Sequence, residues 1–139
     1  MLSAILATAL LTSASPEAAD RANKIERSHS YLNRAMPRGN IEARVSLTRL
    51  PGGARVRTMT EWKSSGCEAQ FATTHGSYGL NFRDVSNIRS FFNMITITGP
   101  VQGSEEPSSA LIISAPSGET FDNVIEALNT IKAACPDTL

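Results

Sequence analysis

Residues 117–136, SGETFDNVIEALNTIKAACP, have the pattern that decides how this chain folds. Their apolar side chains recur at steps of three and four, which is the spacing of one face of an α-helix. Acidic residues occupy the first turn and Pro136 cannot continue a helix, so the segment predicts a helix over residues 119–135. Cys135 extends the apolar stripe by one further step of four, and we therefore expect it to face the core. The stripe itself consists of Phe121, Val124, Ile125, Leu128 and Ile131.

The second cysteine, Cys67, lies in the segment GCEAQFATT, where apolar and polar residues alternate as in a half-buried strand. The alternation places Cys67, Ala69 and Phe71 on the inner face and Glu68 and Gln70 on the outer face. Packing the closing helix on this face brings Cys67 and Cys135 together. We therefore predict a Cys67–Cys135 disulfide, which implies a fold matured outside the reducing cytosol.

Other roles for the two cysteines fit the sequence less well. His29 and His75 could complete a tetrahedral zinc site, but none of the four residues stands in the local pairs that mark such sites. A reactive thiol needs partial exposure, whereas both cysteines lie on apolar faces. Two buried free thiols are the remaining alternative to the disulfide. We expect neither a metal nor another cofactor.

Between residues 41 and 115 the chain alternates with the period of β-strands, and it predicts an antiparallel sheet of five or six strands. In the second strand, RVRTMTEW, Trp62 falls on the inner face with Thr58 and Thr60, and Met59 on the outer face. YGLNFRDVSNIRSF is interpreted as one strand with a bulge near Ser86 and Asn87. NMITITGP and SALIISAP complete the sheet. The predicted fold class is α+β, with the closing helix packed on the sheet.

The first 14 residues, MLSAILATALLTSA, contain no charged side chain and have the length and composition of a secretory signal peptide. They are too few to span a bilayer, which takes about 20 residues. The small residues before Ser15 favour cleavage after Ala14. The alternative is a packed or interfacial N-terminal helix. Residues 15–139 then form a single domain that opens with a helix over residues 16–36, on whose thin apolar stripe His29 is a packed or interface residue.

Charge is balanced overall and unevenly distributed along the 139 residues, with 13 basic and 13 acidic side chains. Residues 1–63 hold ten of the basic and five of the acidic residues. Arg44, Arg55 and Arg57 are predicted on the polar faces of adjacent strands, where guanidinium groups could bind phosphates or carboxylates. No aromatic residues are interleaved with them, so nucleic acid is a poor candidate, and an ordinary solvated face is the alternative.

Residues suited to catalysis are few. The loop THGSYG places His75 near Ser77, but it lacks the strand-to-helix elbow of serine hydrolases. Asp84 could join these two residues, although an aspartate in this context usually forms a turn with its own backbone. A small hydrolase that uses His75 with Ser77 or Asp84 therefore stays an alternative hypothesis, and we expect no enzyme.

The order of elements resembles that of short bacterial domains of the pleckstrin-homology-like kind. The resemblance covers residues 41–135, with LNFRDVSNI preceding a hairpin and SALIISAPSGETFDNVIEALNTIKAAC closing the domain. It implies a bent antiparallel sheet plugged by the last helix, in a class composed mostly of binding and scaffolding modules.

Together these observations predict an exported bacterial protein, periplasmic or secreted, that binds a partner without catalysing a reaction. The partner could be an envelope protein or, through the arginine face, an anionic envelope lipid. Neither the ligand nor the oligomeric state follows from the sequence.

Overall fold

The computed structural model describes residues 15–38, 41–46, 57–74, 76–103, 108–116 and 118–137. Within these residues, seven antiparallel strands lie between two helices along the chain. The elements are α1 (Pro16–Ala35), β1 (Glu42–Ser46), β2 (Arg57–Ser65), β3 (Glu68–Thr73), β4 (Gly76–Asn81), β5 (Asn87–Phe91), β6 (Met94–Gly103), β7 (Ser108–Ser114) and α2 (Glu119–Ala134). The predicted α+β class, an antiparallel sheet with an N-terminal and a C-terminal helix, is confirmed.

The sheet has the strand order β4-β3-β2-β1-β7-β6-β5 and bends until its end strand β4 also pairs with β6, next to the other end. β4 pairs with β6 through Tyr78, Gly79 and Leu80, which lie opposite Gly103, Gln102 and Val101. The inner face of this roll encloses a core that includes Trp62, Phe71, Ile97 and Leu111. Closure on this scale leaves few strand edges open.

The structure has a seventh strand because a segment predicted as one strand forms two. The segment YGLNFRDVSNIRSF divides into β4 and β5, separated by a 3-10 turn at Phe82–Asp84. The side chain of Asn81 caps this turn by accepting a hydrogen bond from the backbone N–H of Arg83 at 2.9 Å. Phe82 and Val85 are both buried, and their spacing of three residues belongs to a turn rather than to a strand.

A bulge in β2 reverses part of the predicted alternation. The pairing with β3 shifts between Met59 and Glu61, which leaves Thr60 as an extra residue. Before the bulge Met59 is buried, and after it Trp62 is buried, whereas Thr58 and Thr60 are exposed. The predicted face of Trp62 is therefore correct, and the faces predicted for Met59, Thr58 and Thr60 are wrong because one inserted residue inverts the period of two.

The two helices pack on each other, and each buries one stripe. In α2 the buried residues are Val124, Ala127, Leu128 and Ile131. Three of them belong to the predicted stripe, Ala127 does not, and the predicted Phe121 and Ile125 are only half-buried. In α1 burial is confined to the second half, where Leu32 and the following Met36 are fully buried. Ser15 caps α1 by accepting a hydrogen bond from the N–H of Ala18 at 3.1 Å. Neither described helix has the length and apolarity needed to cross a bilayer.

Candidate functional site

A Cys67–Cys135 disulfide joins the turn between β2 and β3 to the end of α2, with a Cα–Cα distance of 5.8 Å. The predicted pairing is therefore present in the structure. Gly66, at a φ of 60°, and Cys67 form a two-residue turn, in which glycine takes the left-handed position without strain. With both sulfur atoms in the bond, neither is a thiolate available to a metal or to a substrate.

The 3-10 turn is anchored at the same junction. The backbone N–H of Phe82 donates to the carbonyl oxygen of Cys67 at 2.7 Å. The Lys132 ammonium group in α2 donates to the carbonyl oxygen of Phe82 at 3.1 Å and pairs with Asp137 at 2.6 Å. The disulfide and these bonds hold the sheet, the turn and the closing helix together at one point.

His29 connects α1 to the same region of the sheet. Its Nε2 lies 3.0 Å from the carbonyl oxygen of Gly66, and its Nδ1 lies 2.7 Å from Oγ of Ser64. Since a carbonyl oxygen only accepts, Nε2 carries the proton and Nδ1 accepts the Ser64 hydroxyl. His29 is buried, and desolvation lowers its pKa below the usual 6.5, although the hydrogen bond to Gly66 opposes this change. His29 is thus a packed residue, as its place on the apolar stripe predicted.

Asn33, one turn further along α1, completes this polar cluster. Its Oδ1 accepts the backbone N–H of Ser64 at 2.8 Å, while its Nδ2 donates to the Ser64 carbonyl oxygen at 3.4 Å. Among the described residues, β1 pairs with β2 at Arg57 and Thr58 and not at Ser64, where the amide of Asn33 takes the place of a neighbouring strand. The sequence contains no local signal for this contact, because the two residues are 31 positions apart.

The burial of His29 predicts how stability depends on pH. Because the pKa is lower in the folded chain than in the unfolded chain, the unfolded chain binds a proton first as the pH falls below about 6.5. We expect the free energy of unfolding to be highest above that pH and to decrease through the acid range. His29→Gln, which keeps a polar side chain without titrating, should flatten this slope in denaturant titrations at several pH values. If the free energy of unfolding depended equally on pH in the wild type and in the variant, that would contradict the assignment of this dependence to His29.

Of the three residues in the hydrolase hypothesis, the structure describes two, Ser77 and Asp84. Ser77 is exposed on β4 opposite Ala72, and Asp84 is exposed in the 3-10 turn. No hydrogen bond joins these two described side chains to each other. His75 lies outside the described residues, so the hydrolase hypothesis stays a prediction.

The predicted arginine face is described only in part. Arg44 lies in β1 opposite Ile112 of β7, and Arg57 begins β2 opposite Ala43 of β1. Arg55 lies outside the described residues. A shared anion-binding surface at Arg44, Arg55 and Arg57 stays a prediction.

Two phenylalanines that the sequence analysis did not single out form the most exposed apolar feature of the described residues. Phe91 and Phe92 stand at the tip of the β5–β6 hairpin with 67% and 82% of their surface exposed. Their rings meet edge to face, with centroids 4.4 Å apart. The useful signal in the sequence is FFN directly before the run MITI, because Asn93 is a turn residue and a turn there exposes its neighbours.

The backbone of this tip is strained. Phe92 and Asn93 form a two-residue turn between the paired residues Phe91 and Met94, and Phe92 has a φ of 54°. This is the position that Gly66 occupies in the β2–β3 turn. A side chain in the left-handed region costs roughly 1–2 kcal/mol. Such strain persists where the surrounding structure enforces it, often at sites of binding.

No protein-family model matches the sequence, and no curated protein matches it. Among solved structures, the chain is similar to one described as "PH domain from TgAPH", at 11% sequence identity and a TM-score of 0.47. The similarity covers 80% of this chain and 93% of that chain. This neighbour is of the class that the order of strands and helix predicted from the sequence. The fold itself is a closed antiparallel sheet packed by two helices.

Proposed function

We propose that this chain is an exported, non-enzymatic binding module of the bacterial periplasm or cell exterior. The observation that carries the proposal is the Cys67–Cys135 disulfide, because structural disulfides form and persist in oxidising compartments. The uncharged apolar segment 1–14 supports it as a leader, although this segment lies outside the described residues. The mass of the chain recovered from cells tests export, and a binding assay tests the second half of the proposal.

The contact element of the module is the β5–β6 tip, formed by Phe91 and Phe92. Each ring gains roughly 1.5–3 kcal/mol when it is fully removed from water, and together they exceed the strain of the turn that presents them. Two aromatic rings that are fixed by mutual packing lose little conformational freedom on binding. A convex apolar tip therefore suits insertion into another apolar phase.

An anionic envelope lipid surface is the partner that the neighbouring charge favours. Arg89 lies two residues before Phe91 in β5, and both residues are exposed on one face of the strand. Arg89 forms no ion pair with any described residue, so its charge is available to a headgroup. A basic residue near an anionic surface contributes about 1 kcal/mol, in addition to the apolar contribution of the tip.

We expect the protein to sediment with vesicles of phosphatidylglycerol and phosphatidylcholine, and much less with phosphatidylcholine alone. Phe91→Ser combined with Phe92→Asn should abolish this binding without lowering stability, because asparagine tolerates the positive φ of position 92. Replacing both phenylalanines by leucine should retain binding, as the matched apolar control. Arg89→Glu should weaken binding to the anionic vesicles.

Two results would contradict the lipid proposal: no binding by the wild-type protein, or undiminished binding by the Phe91→Ser, Phe92→Asn variant. Charge reversal at Arg55 and Arg57 tests the separate arginine face in the same assay. Loss of binding in that variant alone would assign the lipid contact to the arginine face instead of the hairpin tip.

A further inference from the structure

A polar groove crosses the outer face of the sheet where β4 meets β6. It consists of two adjoining clefts of about 280 and 380 Å³, which share Gln70, Gly79 and Gln102. These residues lie in register across three strands, with Gln70 opposite Gly79 and Gly79 opposite Gln102. Adjacent strands are about 4.8 Å apart, so the two glutamines flank a glycine floor about 10 Å wide.

Gly79 has no role within the fold that requires glycine. A Cβ built there meets no atom within 4 Å, and its φ is outside the positive range. Gly99 is a useful contrast, because a Cβ there would lie 2.8 Å from the carbonyl oxygen of Asp84. Glycine inside a strand weakens it by roughly 0.5–1 kcal/mol relative to alanine. A glycine inside a strand often marks a bulge, a tight bend or a place where a ligand or another backbone approaches closely, and the open space at the Cβ position of Gly79 leaves room for a ligand.

The hydrogen-bonding groups around the groove are free to bind a ligand. Gln70 and Gln102 are exposed, and their side-chain amides form no hydrogen bond with any described residue. At one end Glu61 and Lys63 pair with each other at 3.1 Å. At the other end Glu68 and Asp84 remain without a cationic partner among the described residues, so the lining is negative overall.

We propose that this groove binds a neutral polyhydroxylated chain, such as a short oligosaccharide, over Gly79. A hydroxyl group both donates and accepts hydrogen bonds, and so do the amides of Gln70 and Gln102. The carboxylates of Glu68 and Asp84 are further acceptors for hydroxyl groups at one end. The flat glycine floor lets a ring lie against the backbone.

Other ligand classes fit this groove less well. The carboxylates repel anions, and the mostly polar lining does not favour lipid chains. An extended peptide would need a free strand edge for main-chain pairing, but β4 is paired with β3 on one side and with β6 on the other. Side-chain hydrogen bonding to hydroxyl groups is the remaining mode of recognition.

The test is a titration of the ¹⁵N-labelled protein with cellotetraose and chitotetraose, followed by amide chemical shifts. We expect shifts at Gly79, Gln70 and Gln102, and affinity weaker by about ten-fold or more in Gly79→Val. A Cβ at this position meets no atom within 4 Å, and valine suits a strand, so this variant should fold with unchanged or higher stability. Thr58→Val, an exposed strand position outside the groove lining, is the matched control and should bind like the wild type.

Three results would overturn the inference. They are no shifts in the wild-type protein, equal affinity in Gly79→Val, and binding of the anionic tetragalacturonate as tight as that of the neutral sugars. None of these results depends on the hairpin tip. The sugar titration and the vesicle assay therefore test separate proposals, and a negative result in one does not count against the other.

Discussion

Reduction of the Cys67–Cys135 disulfide is expected to lower the free energy of unfolding by about 4 kcal/mol. The bond closes a loop with a sequence separation of 68, and opening it restores that freedom to the unfolded chain. A loss of this size is a large share of the 5–15 kcal/mol typical of a domain. Urea unfolding of the oxidised and the reduced protein measures it directly.

The same change should be visible locally. Without the bond, the last turn of α2 is held mainly by the hydrogen bonds of Lys132, so its amides should exchange faster with solvent than those around Val124. Cys67→Ser with Cys135→Ser is the matched variant that contains no thiol. Unfolding midpoints that do not change on reduction or in this variant would contradict the role assigned to the disulfide.

Leu128→Ala is expected to destabilise the protein by about 2–5 kcal/mol. Leu128 is fully buried in the middle of α2, where the helix closes the core of the roll. Ile125→Ala, on the same helix but only partly buried, should cost less because part of the side chain is already in water. Denaturant unfolding compares the two variants, and a loss at position 125 equal to that at 128 would contradict the packing of α2.

The closing helix and the disulfide could be predicted because both depend on local periodicity. The stripe of α2 repeats over four turns and places Cys135 on its inner side. The alternation in β3 likewise places Cys67 beside inward-facing residues. When two elements each have one apolar face, packing those faces together leaves little choice of arrangement.

The errors in the sheet have local causes that periodicity does not detect. The bulge at Thr60 is a single extra residue with no special side chain, and it inverts the faces of the residues before it. Buried Phe82, in the turn at Phe82–Asp84, and buried Val85, just after it, are three residues apart, and a search for a period of two interprets the segment as one strand with a bulge. Five or six strands were therefore predicted where the structure has seven.

The candidate sites were harder to predict because they depend on positions brought together by closure of the sheet. Gln70 is opposite Gly79 in the β3–β4 hairpin, but Gln102 becomes a neighbour of Gly79 only when β6 pairs with β4. Ser64 receives Asn33 only because β1 does not extend along that part of β2. The charge and exposure of single residues, on which the predicted arginine face rests, do not show which residues the closed sheet brings together.

The most direct test of the exported, disulfide-closed fold is the intact mass of the protein recovered from cells that express the full chain. We expect a chain that begins at Ser15, with a mass that rises by two hydrogen atoms on reduction. A chain that still contains residues 1–14 and reacts with a thiol reagent at both Cys67 and Cys135 before any reduction would contradict it.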